Sequence, residues 1–384
     1  MNNRPEHNMN KKEITEASEI ANFYGFKTIV APNITKSDLN YVKNFNEAGA
    51  GAEKVALLRT YFEEKMMALP QPVMLYCDRP FPGSKEASVA KKSKTRLESA
   101  MFALGSTKYV TECLTIQTAL TILTNIGYKD LEVQVNSIGD KDSMNDFQKK
   151  LTLFIKKNIN SFPVDLRQVI KKDVFAILRE SKEEWRAFEA ECPKSIDFLS
   201  ETSRLHFKEV LEFLEIMNIP YNINHHLIGD ADIGSETIFT IQNNEGKLAN
   251  GFRFNRLAKK IGYKKELPCS FLNISAKLKK PIKMLKSKLI KPQFYLVQFG
   301  AEARLQSFLI LRELHKAKVN ILHTIDKDKL SDQMYIAEKS GAPYIILIGQ
   351  KEALENSVVI RNTVTRSQEI VPISDLAHRA KELA

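Results

Sequence analysis

The chain has 384 residues, a net charge of +11, and 43% hydrophobic against 27% charged residues. That length exceeds one core and fits two or three domains, and the composition is too apolar for a disordered chain. No apolar run approaches the roughly 18 residues of a bilayer span, and Met1 to Lys12 lacks the apolar centre of a secretory signal, so a cytoplasmic location without a membrane partner is expected.

In chain order, Lys12 to Phe23 reads as a helix, with Ile14, Ala17, Ile20 and Ala21 at helical spacing. A short strand, Lys27 to Val30, follows, then a helix from about Glu53 to Leu69 closed by Pro70 and Pro72. Strand signals come at Val73–Cys77 and Met101–Leu104, with a lysine-rich loop between them, and Thr111 to Asn125 is a helix ended by Gly127. Leu131, Val133 and Val135 alternate as a half-buried strand. The stretch 141–208 reads as a helical insertion, and a helix carrying Val210, Leu211, Leu214 and Met217 leads to Pro220. Strands return at Tyr221–Asn224, Glu236–Gln242 and Lys247–Phe254, the last two joined by an Asn243-Asn244-Glu245-Gly246 hairpin turn. Beyond Pro292 the rhythm changes. Strand, helix, strand, helix and strand run through Phe294–Phe299, Glu302–Ala317, Val319–His323, Lys329–Ser340 and Tyr344–Gly349. These are two consecutive βαβ units, which require parallel pairing. A hairpin (Ser357–Thr365, Gln368–Ile373) and a final helix close the chain. The expected class is therefore α/β (α+β). Residues 12–276 would form an antiparallel sheet with helices, 277–291 a basic linker, and 292–384 a compact α/β binding module.

Cys77, Cys113, Cys192 and Cys269 lie far apart, and the seven histidines show no ligand spacing, so neither a disulfide framework nor a metal site is expected. His225 and His226 are adjacent and would point to opposite sides of a strand. The positive charge is clustered. Lys277, Lys279, Lys280, Lys283, Lys286, Lys288 and Lys291 form one run without an acid; Lys85, Lys91, Lys92, Lys94 and Arg96 form a second; Arg253, Arg256, Lys259, Lys260, Lys264 and Lys265 form a third. Such runs fit either a solvated face or contact with a polyanion such as RNA.

Several ordered passages resemble one family. NSIGD at 136–140, SETSRLHFKEVLEFLEIMNIPYNIN from Ser200, and FYLVQFGAEARLQSFLILRELHKAKVNI followed by DKDKLSDQMYIAEKSGAPYIILIGQKE are similar to stretches of histidyl-tRNA synthetases, class II aminoacyl-tRNA synthetases. The resemblance runs from about Glu13 to Leu383. It implies a class II catalytic-type domain, a C-terminal βαβαβ anticodon-binding domain, tRNA as partner, ATP and Mg2+ as cofactors of an active member, and a homodimer through Pro32 at the motif 1 position.

The residues of the activating site depart from the family pattern. Gly51, Ala52, Glu53 and Lys54 stand where the family has P-E-G-T, which puts Ala52 at the ammonium-binding glutamate and Lys54 at the threonine. In F-R-Y-E-R-P the α-phosphate arginine becomes Tyr76, while Arg79 and Pro80 remain. The pocket glutamine falls at Glu98 and the second histidine-binding glutamate at Phe102. In the stretch Leu227 to Thr240 the catalytic arginine is Gly229 and the two tyrosines are Ile233 and Gly234, with only Asp232, Thr237 and Phe239 kept. The G-G-R-Y-D-G-L stretch keeps Arg253, and Lys277 replaces the arginine that stacks on adenine, a role a lysine fills poorly.

The remnants Arg79, Arg253 and Lys277, with Arg96, are the candidate ATP contacts. Lys280, Lys283, Lys286, Lys288, Glu302, Arg304, Lys329, Gln333, Tyr335, Lys339 and Arg361 are the candidate RNA contacts, Tyr335 by stacking on an unpaired base. Loss of several charge-stabilising groups together points to a relative that binds tRNA or another structured RNA without charging it. The alternatives are an active divergent histidine–tRNA ligase and a regulatory or processivity subunit built on the synthetase fold. A regulatory subunit like the synthetase-derived partner of ATP phosphoribosyltransferase would lack the βαβαβ tail.

Overall fold

A computed structural model describes residues 13–42, 48–84, 95–179, 190–229, 233–286 and 291–384. The expectations placed on Lys12, Lys85, Lys91, Lys92, Lys94, Asp232 and Lys288 lie outside the described residues.

The larger sheet takes eight strands: β2 (Lys27–Thr28), β3 (Val73–Asp78), β4 (Arg96–Leu104), β5 (Glu132–Ser137), β6 (Tyr221–Ile223), β7 (Gly234–Asn243), β8 (Gly246–Phe254) and β9 (Cys269–Lys277). Their order is β2-β3-β4-β9-β8-β7-β5-β6. Six central strands pair antiparallel, and a short parallel strand is added at each edge. The class II type of antiparallel sheet expected from the sequence is thus present. Asn243 pairs with Gly246, so the β7–β8 hairpin turns where Asn-Asn-Glu-Gly stands.

Besides a shift of the helix expected over about Glu53 to Leu69, which runs Ala48–Glu63, two expectations change. Glu13–Thr15 is a strand, β1, paired with β10 (Met284–Lys286), rather than the start of a helix. The Thr15 side chain accepts the Ser18 backbone N–H and Ser18 returns the bond, a capping box that sets helix α1 to Glu16–Phe23. The second change is β9, a central strand not marked in the chain-order reading. Cys269, Phe271, Leu272, Ile274 and Ala276 are all buried, and a strand covered on both faces shows no clean alternation.

Side-chain alternation assigns each face of the sheet. Leu97, Met101 and Ala103 of β4 join one cluster with α1, α4 (Val110–Asn125) and α7 (Glu201–Ile216), after α2 (Lys36–Tyr41) and α3 (Ala48–Glu63). Ala100, Phe102 and Leu104 face the other way, onto α3 and the insertion helices α5 (Lys141–Asn158) and α6 (Val164–Lys172).

After the short α8 (Leu257–Lys260) and β10, the C-terminal part has strands β11 (Phe294–Gln298), β12 (Ile321–His323), β13 (Tyr344–Ile348), β14 (Ser357–Asn362) and β15 (Gln368–Pro372) in the order β12-β11-β13-β14-β15. β11 runs parallel to both β12 and β13, as two βαβ units require. Helices α9 (Ala301–Ala317), α10 (Leu330–Lys339), α11 (Gln350–Leu354) and α12 (Ile373–Leu383) complete it.

The two parts share one apolar cluster. Phe213 and Phe308 meet edge to face at 4.8 Å, and Gln117 Nε2 donates to the Phe308 carbonyl at 2.9 Å. His315 stacks on Tyr24 at 5.6 Å, and His323 lies against Gly25, where a Cβ would stand 3.6 Å from its Nε2. Burial lowers the pKa of both histidines, that of His323 to about 4. The unfolded chain therefore binds more protons than the folded one between pH 6.5 and 4, and this share of stability is lost as pH falls through that window. Unfolding free energies from urea titrations at pH 7 and pH 5 should differ by about 2 kcal/mol more in the native protein than in His323→Leu. An identical pH dependence in the variant would remove His323 from the interface's acid response.

Candidate functional site

The face of the sheet that meets α3 is apolar at its centre. Phe102 of β4 lies 5.0 Å from Phe271 of β9, Phe252 of β8 lies 5.8 Å from Phe271, and Phe81 lies 6.4 Å from Phe102. Ile233 and Ile238 close the β7 side. Into this layer α3 inserts two charged residues. Glu53 is buried and accepts from Arg79 Nε at 2.5 Å and from the Phe81 N–H at 3.0 Å. Lys54 is 1% exposed, and its Nζ stands 4.5 Å from the Phe271 ring centroid and 4.9 Å from that of Phe252.

Toward the end of β4 and β9 the same face becomes polar. Arg96 donates to Glu98 at 3.1 Å and to Ser275 Oγ at 2.9 Å, and Ser275 Oγ donates to Glu98 at 2.6 Å. Arg96 pairs across the ladder with Lys277, which is exposed. Arg96 and Lys277 are thus brought together at one rim, with Arg79 held nearby through its backbone N–H on the Glu98 carbonyl at 3.0 Å.

Arg253 is elsewhere. It sits on the opposite face of β8, fully buried, and bonds Glu112 through Nε (2.7 Å) and Nη2, the Ser106 and Lys108 carbonyls (2.6 and 2.9 Å) and Thr111 Oγ1 (2.9 Å). His206 Nε2 completes the cluster, 2.7 Å from Glu112 Oε1. Burial alone would raise the Glu112 pKa; the adjacent Arg253 and His206 overcome this and hold it at about 2. Such saturation makes Arg253 a brace for the loop 105–110.

Strand register also bears on the site correspondences. Tyr76 lies opposite Met101 and Leu75 opposite Phe102, so Tyr76 and Phe102 point to opposite faces. Tyr76 packs among the helices, and burial raises its phenol pKa. Residues that hold one substrate share a face, so Tyr76 and Phe102 cannot both stand at substrate-binding positions. Gly229 has φ +62°, and its carbonyl accepts from Arg179 Nη2 at 3.0 Å. A residue of the insertion thereby reaches the backbone at that point, which spacing along the chain gives no means of seeing.

In the C-terminal part Glu302 and Lys329 are exposed and Arg361 is half-buried. Tyr335 is 63% exposed, and Lys339 Nζ lies over one side of its ring, 5.3 Å from the centroid. Gln333 is fully buried and bonds Gln298 and the Lys327 carbonyl. Arg304 pairs with Asp328 at 2.6 Å, and Lys108 reaches the same carboxylate at 2.6 Å. Arg304 is thus paired within the C-terminal part, while Lys108 ties the first part of the molecule to the same carboxylate. Lys280 and Lys283 are exposed, and Lys286 lies in β10.

The sequence reading passed over one surface. Lys149, Lys150, Lys156 and Lys157 of α5 and Lys171 and Lys172 of α6 are all exposed. Three Lys-Lys pairs within 24 residues were a visible signal, masked by the apolar helical spacing around them. Among the described residues no cluster of His, Cys, Asp or Glu is arranged to hold a metal, and no helix is long and apolar enough to cross a membrane.

Residues 293–383 match the family model "anticodon binding domain". The chain is 26% identical over 341 residues to histidine–tRNA ligase 1 of Shouchella clausii, covering 85% of this chain and 79% of that protein. It is 22% identical over 401 residues to a histidine–tRNA ligase of Dehalococcoides mccartyi, covering 96% and 94%. The crystal structure of apo Staphylococcus aureus histidyl-tRNA synthetase superposes with a TM-score of 0.52 at 21% identity, over 95% of this chain and 93% of that one, which supports a common fold. An antiparallel sheet of this order, joined to an anticodon-binding module, defines a class II synthetase architecture. Within that class the comparisons support a histidyl-tRNA synthetase-family protein, at 22–26% identity to these relatives.

Proposed function

We propose that this protein binds tRNA or a related structured RNA and does not aminoacylate it. The observation that carries the reading is the packed centre of the sheet face: Phe102, Phe252, Phe271 and Ile233 fill it, and the ammonium of Lys54 lies on two of the rings. ATP with Mg2+ does not fit such a layer. Its phosphates call for unshielded cations placed in advance, whereas Arg79 is tied to Glu53 and Arg253 to Glu112. The RNA side draws support from the net charge of +11, the exposed lysines of the insertion, exposed Lys277, Lys279, Lys280 and Lys283, and the exposed ring of Tyr335. The proposal includes residues 12–276 as the catalytic-type domain, 277–291 as linker and 292–384 as the RNA-binding module. It places a homodimer in the cytoplasm.

A second reading, an active divergent ligase using ATP and Mg2+, draws on Arg96 and Lys277 standing side by side at the polar rim. Histidine-dependent exchange of pyrophosphate into ATP separates the two. No exchange above background is expected, against a working synthetase as control, while the same preparation retains RNA. Clear exchange would overturn the proposal. A regulatory or processivity role on the same fold would show as a co-purifying enzyme with no RNA bound.

A further inference from the structure

Lys54 is buried with its ammonium against the faces of Phe271 and Phe252, at 4.5 and 4.9 Å from their centroids. A cation in that position is attracted by the negative quadrupole face of each ring, more strongly where water is excluded. The rings do not depend on the lysine for their placement. Phe271 packs on Phe102 at 5.0 Å and meets Phe252 edge to face at 5.8 Å, and both are set by antiparallel pairing of β8 with β9, Phe252 opposite Phe271. The lysine in turn is delivered by a fixed helix, because the neighbouring Glu53 is anchored by Arg79 and by the Phe81 N–H. Host and occupant are thus held separately, which is the arrangement of a binding cage with a tethered guest.

We propose that Phe252 and Phe271 form a subsite for a primary ammonium ion and that Lys54 is its built-in occupant. The face of the sheet then accepts a cationic small molecule only when the Lys54 side chain is removed or withdrawn. The inference rests on the cage itself and stands whether or not the protein charges tRNA.

Lys54→Ala, in the full chain, tests it with n-butylammonium chloride as the probe. The midpoint of thermal unfolding of Lys54→Ala should rise by about 2–5 °C in n-butylammonium chloride relative to sodium chloride of equal ionic strength. The native protein should not respond, and 1-butanol, of matched size but neutral, should not substitute. Equal rescue by butanol, or no rescue by either, overturns the proposal. If Lys54→Ala fails to fold, Lys54→Met keeps the length and removes the charge. It should lower the folding equilibrium constant at least tenfold, and stability equal to the native protein's would overturn the cation subsite.

Discussion

Replacing Arg253 with methionine is expected to remove about 3–5 kcal/mol of stability, measured as a shift in the urea midpoint at neutral pH. The cost comes from what is left behind. Glu112 would be left buried without its main counter-charge, and the Ser106 and Lys108 carbonyls would lose their donor. A buried group deprived of its partner costs more than the pair contributed. In Glu112→Gln combined with Arg253→Met the losses should fall well short of additive, because either change alone breaks the same cluster. The acid limb of the stability curve supplies an independent readout. The folded pKa of Glu112 lies at about 2, below its ordinary 4.5, so its contribution is present above pH 4.5 and is lost as pH falls from 4.5 toward 2. Arg253→Met should flatten that limb. A loss under about 1 kcal/mol would mean that Arg253 is not a structural brace, and would return it to the candidates for substrate contact.

This cluster also shows where reading the chain reached its limit. The helices and strands of the C-terminal module were legible because the shift to alternating βαβ segments is a strong periodic signal, and β11, β12 and β13 pair parallel as required. Phe102 and Ile233, the bulky apolar residues that stood out along the chain, are both buried. Register was not legible. The resemblance puts Tyr76 at the α-phosphate arginine and Phe102 at a histidine-binding glutamate, yet the ladder points them to opposite faces, and a one-residue slip suffices to do so. Partners distant in sequence were equally hidden: Arg253 with Glu112, Lys54 with Phe271, Arg179 with Gly229. The local stretch around Arg253 has the look of a catalytic remnant, while its five-bond cradle is assembled from a loop and the first turn of α4, distant in the chain. Tyr335 and Gln333 show the same limit on a single helix. Only burial separates the ring that faces solvent from the amide that locks Gln298.

Exchange of Lys149, Lys150, Lys156, Lys157, Lys171 and Lys172 for glutamine is expected to weaken RNA binding and to flatten its salt dependence. Each phosphate contact releases counterions, so each one lost lowers the slope of log affinity against log salt by roughly 0.7–0.9. If half of these lysines touch phosphates, the slope falls by about 2, and affinity at low salt falls by more than tenfold. Alternative explanations make different predictions. Lys156, Lys157, Lys171 and Lys172 lie in the last turns of their helices, where cations complement the helix dipole. A purely structural role of that kind would lower the unfolding midpoint slightly and leave the salt slope where it was. The paired substitution of Lys280 and Lys283, exposed beyond β9, provides the comparison: additive reductions in slope from the two sets would define one extended RNA surface. A full insertion variant with unchanged slope and affinity would assign RNA contact to the C-terminal module alone, with Tyr335 at its centre.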